Sequence, residues 1–351
     1  FQMRLLFILI LLVAPFFGCN EAVSKKQDNQ MEKDSEATVR FVEDQATQKV
    51  DVYFGASLFT SYRYTDAYYK PVLYPLITAS GKSLTRGFPI DPFPGERVDH
   101  PHHVGHWLNY GDVNGFDFWN HSDAIPLENK GQYGTVFHKS VQLDQTKAAL
   151  NVVAQWKAPD GTILIEEHTK FIFSEAGNNR IIDRETTLMA KTNVRLSDNK
   201  EGFVAVRVTR ALEHPSKKPE IFTDANGIPS EVKALNNEGV TGLYISSEGI
   251  TGEAVWGTRA EWVALNGVID QENVSITIYD HPENIGYPTY RHARGYGLFA
   301  ANPLGQKIFS KGAQELNASI EKNDSLTFKY RIVVSNGKAI DQVAANQLKD
   351  F

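Results

Sequence analysis

Between Arg40 and about Ser335, apolar residues recur at every second position in short runs broken by Gly, Asn and Pro. That period limits the fold more than any other feature, because side chains alternate faces along a strand whereas a helix repeats every 3.6 residues. Leu150, Val152, Ala154 and Trp156 alternate with more polar neighbours, and Phe328, Tyr330, Ile332 and Val334 bracket Lys329 and Arg331. Half-buried antiparallel strands are the simplest account. The predicted fold class is therefore all-β, a large antiparallel β-sandwich. The period changes only near the end, where Ile340, Val343, Ala344, Gln347, Leu348 and Phe351 fall at helical spacing after Asn336-Gly337. This predicts a C-terminal amphipathic helix over about 337–350, packed on the sandwich edge. The 351 residues could hold two domains, but large sandwiches reach this size as one unit. With no internal repeat, residues 40–351 read as a single domain.

The N-terminus reads as an address. Arg4 precedes an apolar run from Leu5 to Phe17 that is too short to span a bilayer and has the size of a signal-peptide core. Phe16-Phe17-Gly18-Cys19 resembles a bacterial lipoprotein cleavage site, and Cys19 is the chain's single cysteine. Residues 1–18 are thus expected to be a lipoprotein signal peptide, Cys19 the lipidated residue, and the polar stretch 19–39 a flexible tether. The implied location is the bacterial cell envelope, periplasmic or at the outer-membrane surface, with membrane contact through the lipid anchor only. A body without other cysteines needs no disulfide and offers no thiolate to a metal. A formal net charge of -6 argues against a nucleic-acid partner, which would want a basic face. No glycine-rich phosphate loop supports a nucleotide cofactor.

Chemistry concentrates in residues 95–121. The run Glu96-Arg97-Val98-Asp99-His100-Pro101-His102-His103-Val104-Gly105-His106-Trp107, followed by Asn109, Asp112, Asp117, Trp119 and His121, holds five of the chain's ten histidines. A lone histidine is most often a loop residue bonded to its own backbone; a cluster flanked by carboxylates can move protons or hold a transition metal. A second segment, Asp280-His281-Pro282 through Gly286-Tyr287-Pro288 to Arg291-His292-Ala293-Arg294-Gly295-Tyr296-Gly297, repeats the Asp-His-Pro tripeptide. An Asp before a His fixes the imidazole tautomer and the Pro locks a turn. The two segments are expected to meet in one pocket. In the strand after Glu201, Val204, Val206 and Val208 are expected on one face, with Glu201, Phe203, Ala205, Arg207 and Thr209 on the other.

The first motif, with Gly111-Asp112-Val113-Asn114-Gly115 and Asp117-Phe118-Trp119, resembles the bacterial PmoA-like family of unknown function. So do Lys200-Glu201-Gly202-Phe203, the second Asp-His-Pro, and Tyr296-Gly297-Leu298 with Asn302-Pro303-Leu304-Gly305, in order over roughly residues 50–335. That family is often labelled a methane oxygenase subunit, a label that suits a chain of transmembrane helices; nothing after residue 18 here could span a bilayer. The resemblance implies a functional role for Glu201.

Three readings follow. In the first, a carbohydrate or other small molecule is the substrate of an acid-base enzyme. One of His102, His103 and His106 works with His281 or His292, and Glu201 is the second carboxylate. Arg97, Asn109, Asp117, Trp119, Arg207, Arg291 and Arg294 hold the substrate. The architecture then resembles the mutarotase-type supersandwich, which implies a histidine and a carboxylate handling protons on a concave face. In the second, His100 and His102 form a His-x-His pair for a divalent metal such as iron, manganese or zinc, including oxygenase chemistry. In the third, Trp107, Trp119, Trp256 and Trp262 are platforms of a glycan-binding lipoprotein without turnover.

Overall fold

The two-residue period reappears as long, hydrogen-bonded strands. The computed structural model describes residues 39–223, 229–232 and 236–351; the expected signal peptide, Cys19 and the tether up to residue 38 lie outside the described residues. In chain order the strands are β1 (Val39–Asp44), β2 (Lys49–Phe54), β3 (Ser57–Arg63), β4 (Val72–Leu73), β5 (His106–Tyr110), β6 (Thr135–Asp144), β7 (Ala149–Lys157), β8 (Ile163–Ala176), β9 (Asn179–Ala190) and β10 (Val194–Leu196). They continue as β11 (Gly202–Arg207), β12 (Glu220–Thr223), β13 (Pro229–Val232), β14 (Leu243–Ser246), β15 (Trp262–Ile269), β16 (Glu272–Asp280), β17 (Tyr290–Ala293), β18 (Leu298–Asn302), β19 (Ala318–Ile320) and β20 (Ser325–Asn336).

Among the described residues these form two eight-stranded sheets, ordered β1-β2-β3-β4-β5-β11-β18-β17 and β14-β15-β16-β20-β9-β8-β7-β6, with two-stranded ribbons β10-β19 and β12-β13. The named pairings are antiparallel throughout. The protein is a large antiparallel β-sandwich. Its core lies between the sheets, where Leu150, Val152, Ala154 and Trp156 of β7 meet Phe328, Tyr330, Ile332 and Val334 of β20, all buried. Local chemistry sets the corners. Asp270 and Gln271 both take positive φ, 48° and 67°, and make the two-residue turn that joins β15 to β16 with a twist matching the strands.

Two arginines tie the layers together. From β9 in the second sheet, Arg180 Nη1 donates to the carbonyls of Leu58, Ile77 and Thr78. From β17 in the first, Arg291 donates through Nη1 to Ile278 O (3.2 Å) and through Nη2 to Ala260 O (2.9 Å) and Glu261 O (3.0 Å).

The C-terminal helix is shorter than expected and sits elsewhere. Only Gln342–Asn346 is α-helical, and Ala345 with Ile340, Leu348 and Phe351 packs on Trp262, Tyr279 and Val333, on the outer face of the second sheet rather than its edge. The sheet competes for the backbone groups that would extend the helix: Tyr279 donates to Ala345 O, and Arg331 Nη1 to Leu348 O and Asp350 O. Among the described residues no helix is long and apolar enough to cross a membrane.

Candidate functional site

One row of residues crosses the first sheet on its outer face and ends at a cavity. Trp107 of β5 pairs with Ala205 of β11, Ala205 with Ala300 of β18, and Ala300 with His292 of β17. Strand alternation sends this row outward, while Leu108, Val204, Val206, Phe299 and Ala301 enter the core. Trp107, Ala205 and Ala300 are fully buried in a small apolar cluster on that outer face, and His292 at the end of the row lines a cavity of about 530 Å³.

The loop before β5 supplies His100, His102 and His103 to that cavity, and one buried guanidinium holds it. Arg86 Nη1 donates to Asp99 O (2.7 Å) and Asp99 Oδ1 (3.0 Å), and Nη2 to His100 O (3.0 Å) and His103 O (2.9 Å). His100 needs such a clamp, because its φ of 44° is in the left-handed region that costs a non-glycine residue about 1 kcal/mol or more. Lys70, also buried, donates to His102 O at 2.7 Å.

The hydrogen bonds fix opposite tautomers on the imidazoles. Arg207 Nη1 lies 3.1 Å from His103 Nδ1; a guanidinium can only donate, so that Nδ1 carries the lone pair and neutral His103 bears its proton on Nε2. The His100 Nδ1 sits 2.6 Å from Asp99 Oδ2 and donates to it, so in the neutral ring Nε2 is the acceptor. His292 Nδ1 likewise donates to Lys200 O at 3.1 Å. The Nε2 atoms of His102 and His103 are buried without a protein partner.

Electrostatics keep these states in place. Burial would raise the Asp99 carboxyl, but Arg207, the His100 hydrogen bond and Arg86 outweigh it and hold it well below the usual carboxylate range. Burial, with Lys70 and Arg207 nearby, pushes His102 well down, and burial, His102 and Arg207 do the same to His103. His292 is lowered to about 3 by burial, Lys200 and Arg294. Burial brings Lys70 down to about 7.

The remaining walls come from distant stretches: Asn120, the ion-paired Lys200 and Glu201, Trp256, Arg294 and Tyr296. The Tyr296 ring stacks on His100 at 5.0 Å, and Arg294 lies over the rings of both Trp256 and Tyr296.

The structure therefore gathers His100, His102, His103, Glu201, His292 and Arg294 at one cavity, with Arg207 just behind His103. It does not bring the two Asp-His-Pro tripeptides together. His281 lines a different cavity of about 230 Å³ with Glu261, Tyr287 and the C-terminal residues, and its Nε2 is 2.9 Å from Phe351 O. His106 points the other way from Trp107, between the sheets, where its Nδ1 contacts Ala205 O. Arg291, next to His292, faces inward for the same reason and clamps the sheets. Asn109 Nδ2 holds Phe118 O, Asp117 closes the turn at Trp119 and Asn120, and Trp119 is fully buried behind Trp107. Arg97 is ion-paired to Glu213 and lines an adjoining cavity. Of the four tryptophans considered as platforms, only Trp256 lines the cavity; Trp107, Trp119 and Trp262 are buried. Phe203 packs against Phe328 in the core rather than beside Arg207, so the alternation expected after Glu201 begins only at Val204. The His100–His102 pair gains no third donor: among the described residues no three His, Cys, Asp or Glu side chains have a geometry that could hold a metal ion.

Sequence reasoning missed Arg86 and Lys70, which lie outside the histidine motif and act on its carbonyls. No local pattern marks a residue whose partners are backbone oxygens of another loop.

No curated protein matches the chain. Among solved structures it is similar to the GH36 alpha-galactosidase AgaB from Geobacillus stearothermophilus, at 12% identity and a TM-score of 0.41 over 86% of this chain and 41% of that one. It is also similar to a protein described as an aldose 1-epimerase from Escherichia coli K12, at 7% identity and a TM-score of 0.36, covering 85% and 98% of the two chains. A Synechocystis protein gives 10% identity, a TM-score of 0.33, and coverage of 85% and 95%. The chain thus spans under half the length of the alpha-galactosidase. The motif resemblance to a PmoA-like family is corrected by the family model that does match, which covers residues 49–349. By that match the chain belongs to DUF6807, a family of unknown function.

Proposed function

We propose that the protein is an enzyme that moves a proton on a saccharide bound in the cavity. The observation that carries this reading is the pair of opposite tautomers at one cavity: an acceptor imidazole at His100, backed by an ionised Asp99, and a donor Nε2–H at His103, backed by Arg207. His100 Nε2 accepts a proton from the substrate, and the resulting imidazolium is stabilised through Nδ1–H by Asp99, whose carboxylate stays charged. His103 Nε2–H hydrogen-bonds the substrate oxygen on which negative charge develops. Glu201, on the wall and paired with Lys200, is a second carboxylate. A saccharide suits the rest of the wall, because the apolar face of a sugar ring stacks on Trp256 and Tyr296 while its hydroxyls meet Asn120, His292 and Arg294.

Proton NMR in heavy water, run on the purified protein with a panel of mono- and oligosaccharides, reports ring-hydrogen exchange, change of anomer and bond cleavage in one spectrum. Turnover of at least one saccharide is expected, falling roughly a hundredfold or more in His100→Ala and in His103→Ala, with His138→Ala, half-buried on β6 against Tyr62 and Tyr64, left at the parent rate. Saccharide binding without turnover, or variants as active as the parent, overturns the reading.

A further inference from the structure

Beside the first cavity lies a second of about 460 Å³, and the two share Trp256, Arg294 and Tyr296 as wall residues. The second cavity is polar and incompletely satisfied. His214 Nε2 and Trp256 Nε1 are buried without a protein partner, and Ser216, Lys218 and Glu253 add further hydrogen-bonding groups. Arg294 stands at the junction. Its guanidinium lies over the faces of Trp256 (5.6 Å) and Tyr296 (5.7 Å), and among the described residues no carboxylate is within ion-pair distance of it. The contrast with its neighbours is sharp: Arg86 and Arg207 pair with Asp99, Arg97 and Arg210 with Glu213, and Lys200 with Glu201.

A guanidinium beside two aromatic rings and without a carboxylate partner suits a carboxylate of the ligand, which its fork can hold by two parallel hydrogen bonds. We propose that the two cavities are one extended site for an acidic saccharide of at least two units, its carboxylate held by Arg294 at the junction. One unit occupies the histidine cavity and the next the cavity at His214, with Trp256 as the platform common to both. This rests on the reading of the histidine cavity as a sugar site and adds to it a ligand length and a charge.

The test is retention of the full chain on an array of neutral and uronic-acid saccharides, present singly and as pairs. Acidic pairs are expected to bind most tightly. Arg294→Ala should lower the preference for acidic over neutral members by about tenfold or more, and Arg294→Lys should recover part of it. Ser216→Trp, which fills the second cavity, should remove the preference for pairs over single units. Equal retention of acidic and neutral members, equal retention of pairs and single units, or preferences untouched by these substitutions would overturn the extended site. Single sugars still retained in a His103-dependent way would then leave the first cavity's reading standing, whereas an array with nothing retained removes both.

Discussion

A histidine's role in this chain is decided by which way its strand or loop turns it. His103 and His106 are three positions apart in one motif, yet one faces the cavity and the other is sealed between the sheets. The motif was legible in the sequence; the partition was not, because it depends on where β5 begins. Once β5 is known to start at His106, alternation assigns Trp107 to the apolar cluster on the sheet's outer face and His106 to the interior between the sheets. His292 carries a measurable consequence. Its folded pKa is about 3 against an ordinary value near 6.5, so between these limits the unfolded chain binds a proton that the folded one does not, and stability falls as pH falls. At pH 5 this one residue should account for up to about 2 kcal/mol relative to pH 7. Urea unfolding of the parent and of His292→Asn at the two pH values checks it: the variant's pH dependence should be shallower, and an identical slope in both proteins would contradict the assignment.

Among the elements, the strands were read well because their partners are other strands with the same period. The two arginines that cross between sheets were not, since Arg291 in the sequence neighbours His292 and looked like a ligand for substrate. In the structure it serves three carbonyls of the opposite layer. Arg291→Met should therefore destabilise the fold by about 3 kcal/mol, because buried acceptors lose charge-assisted donors, while saccharide affinity at saturating fold stays unchanged. Denaturant midpoints and binding isotherms separate the two roles; weakened binding with full stability would return Arg291 to the substrate. The C-terminal helix was overextended for a related reason. Ile340, Leu348 and Phe351 do meet the sandwich, but Val343 is exposed, and Tyr279 and Arg331 capture the carbonyls a longer helix would use itself.

At the level of the whole molecule, the cavity draws on six stretches between His100 and Ile308, and the histidine-rich ones announced themselves most clearly. Glu201 and Trp256 were singled out by motif and residue type, whereas Asn120 and Ile308 carry no signal until the fold sets them beside the histidines. The N-terminal segment lies outside the described residues, and from its sequence we propose that Cys19 is lipidated and tethers the sandwich to the bacterial envelope. Mass spectrometry of membrane-extracted protein should find a diacylglyceryl group on an N-terminal Cys19 peptide; an unmodified Cys19 preceded by the intact apolar run would refute it.

Small residues under the histidine loop set how closely that loop approaches the sheet. Ala205 and Ala300 are side by side in the middle of the sheet, fully buried in one cluster with Trp107 and Trp119, and His103 stacks on Trp107 above them. A valine at either position would have no free space to enter and would push on what packs over it. Descendants of one ancestral sandwich could in this way reshape the cavity by shifting a loop, with every residue that faces the ligand unchanged, and an engineer seeking altered selectivity would begin there.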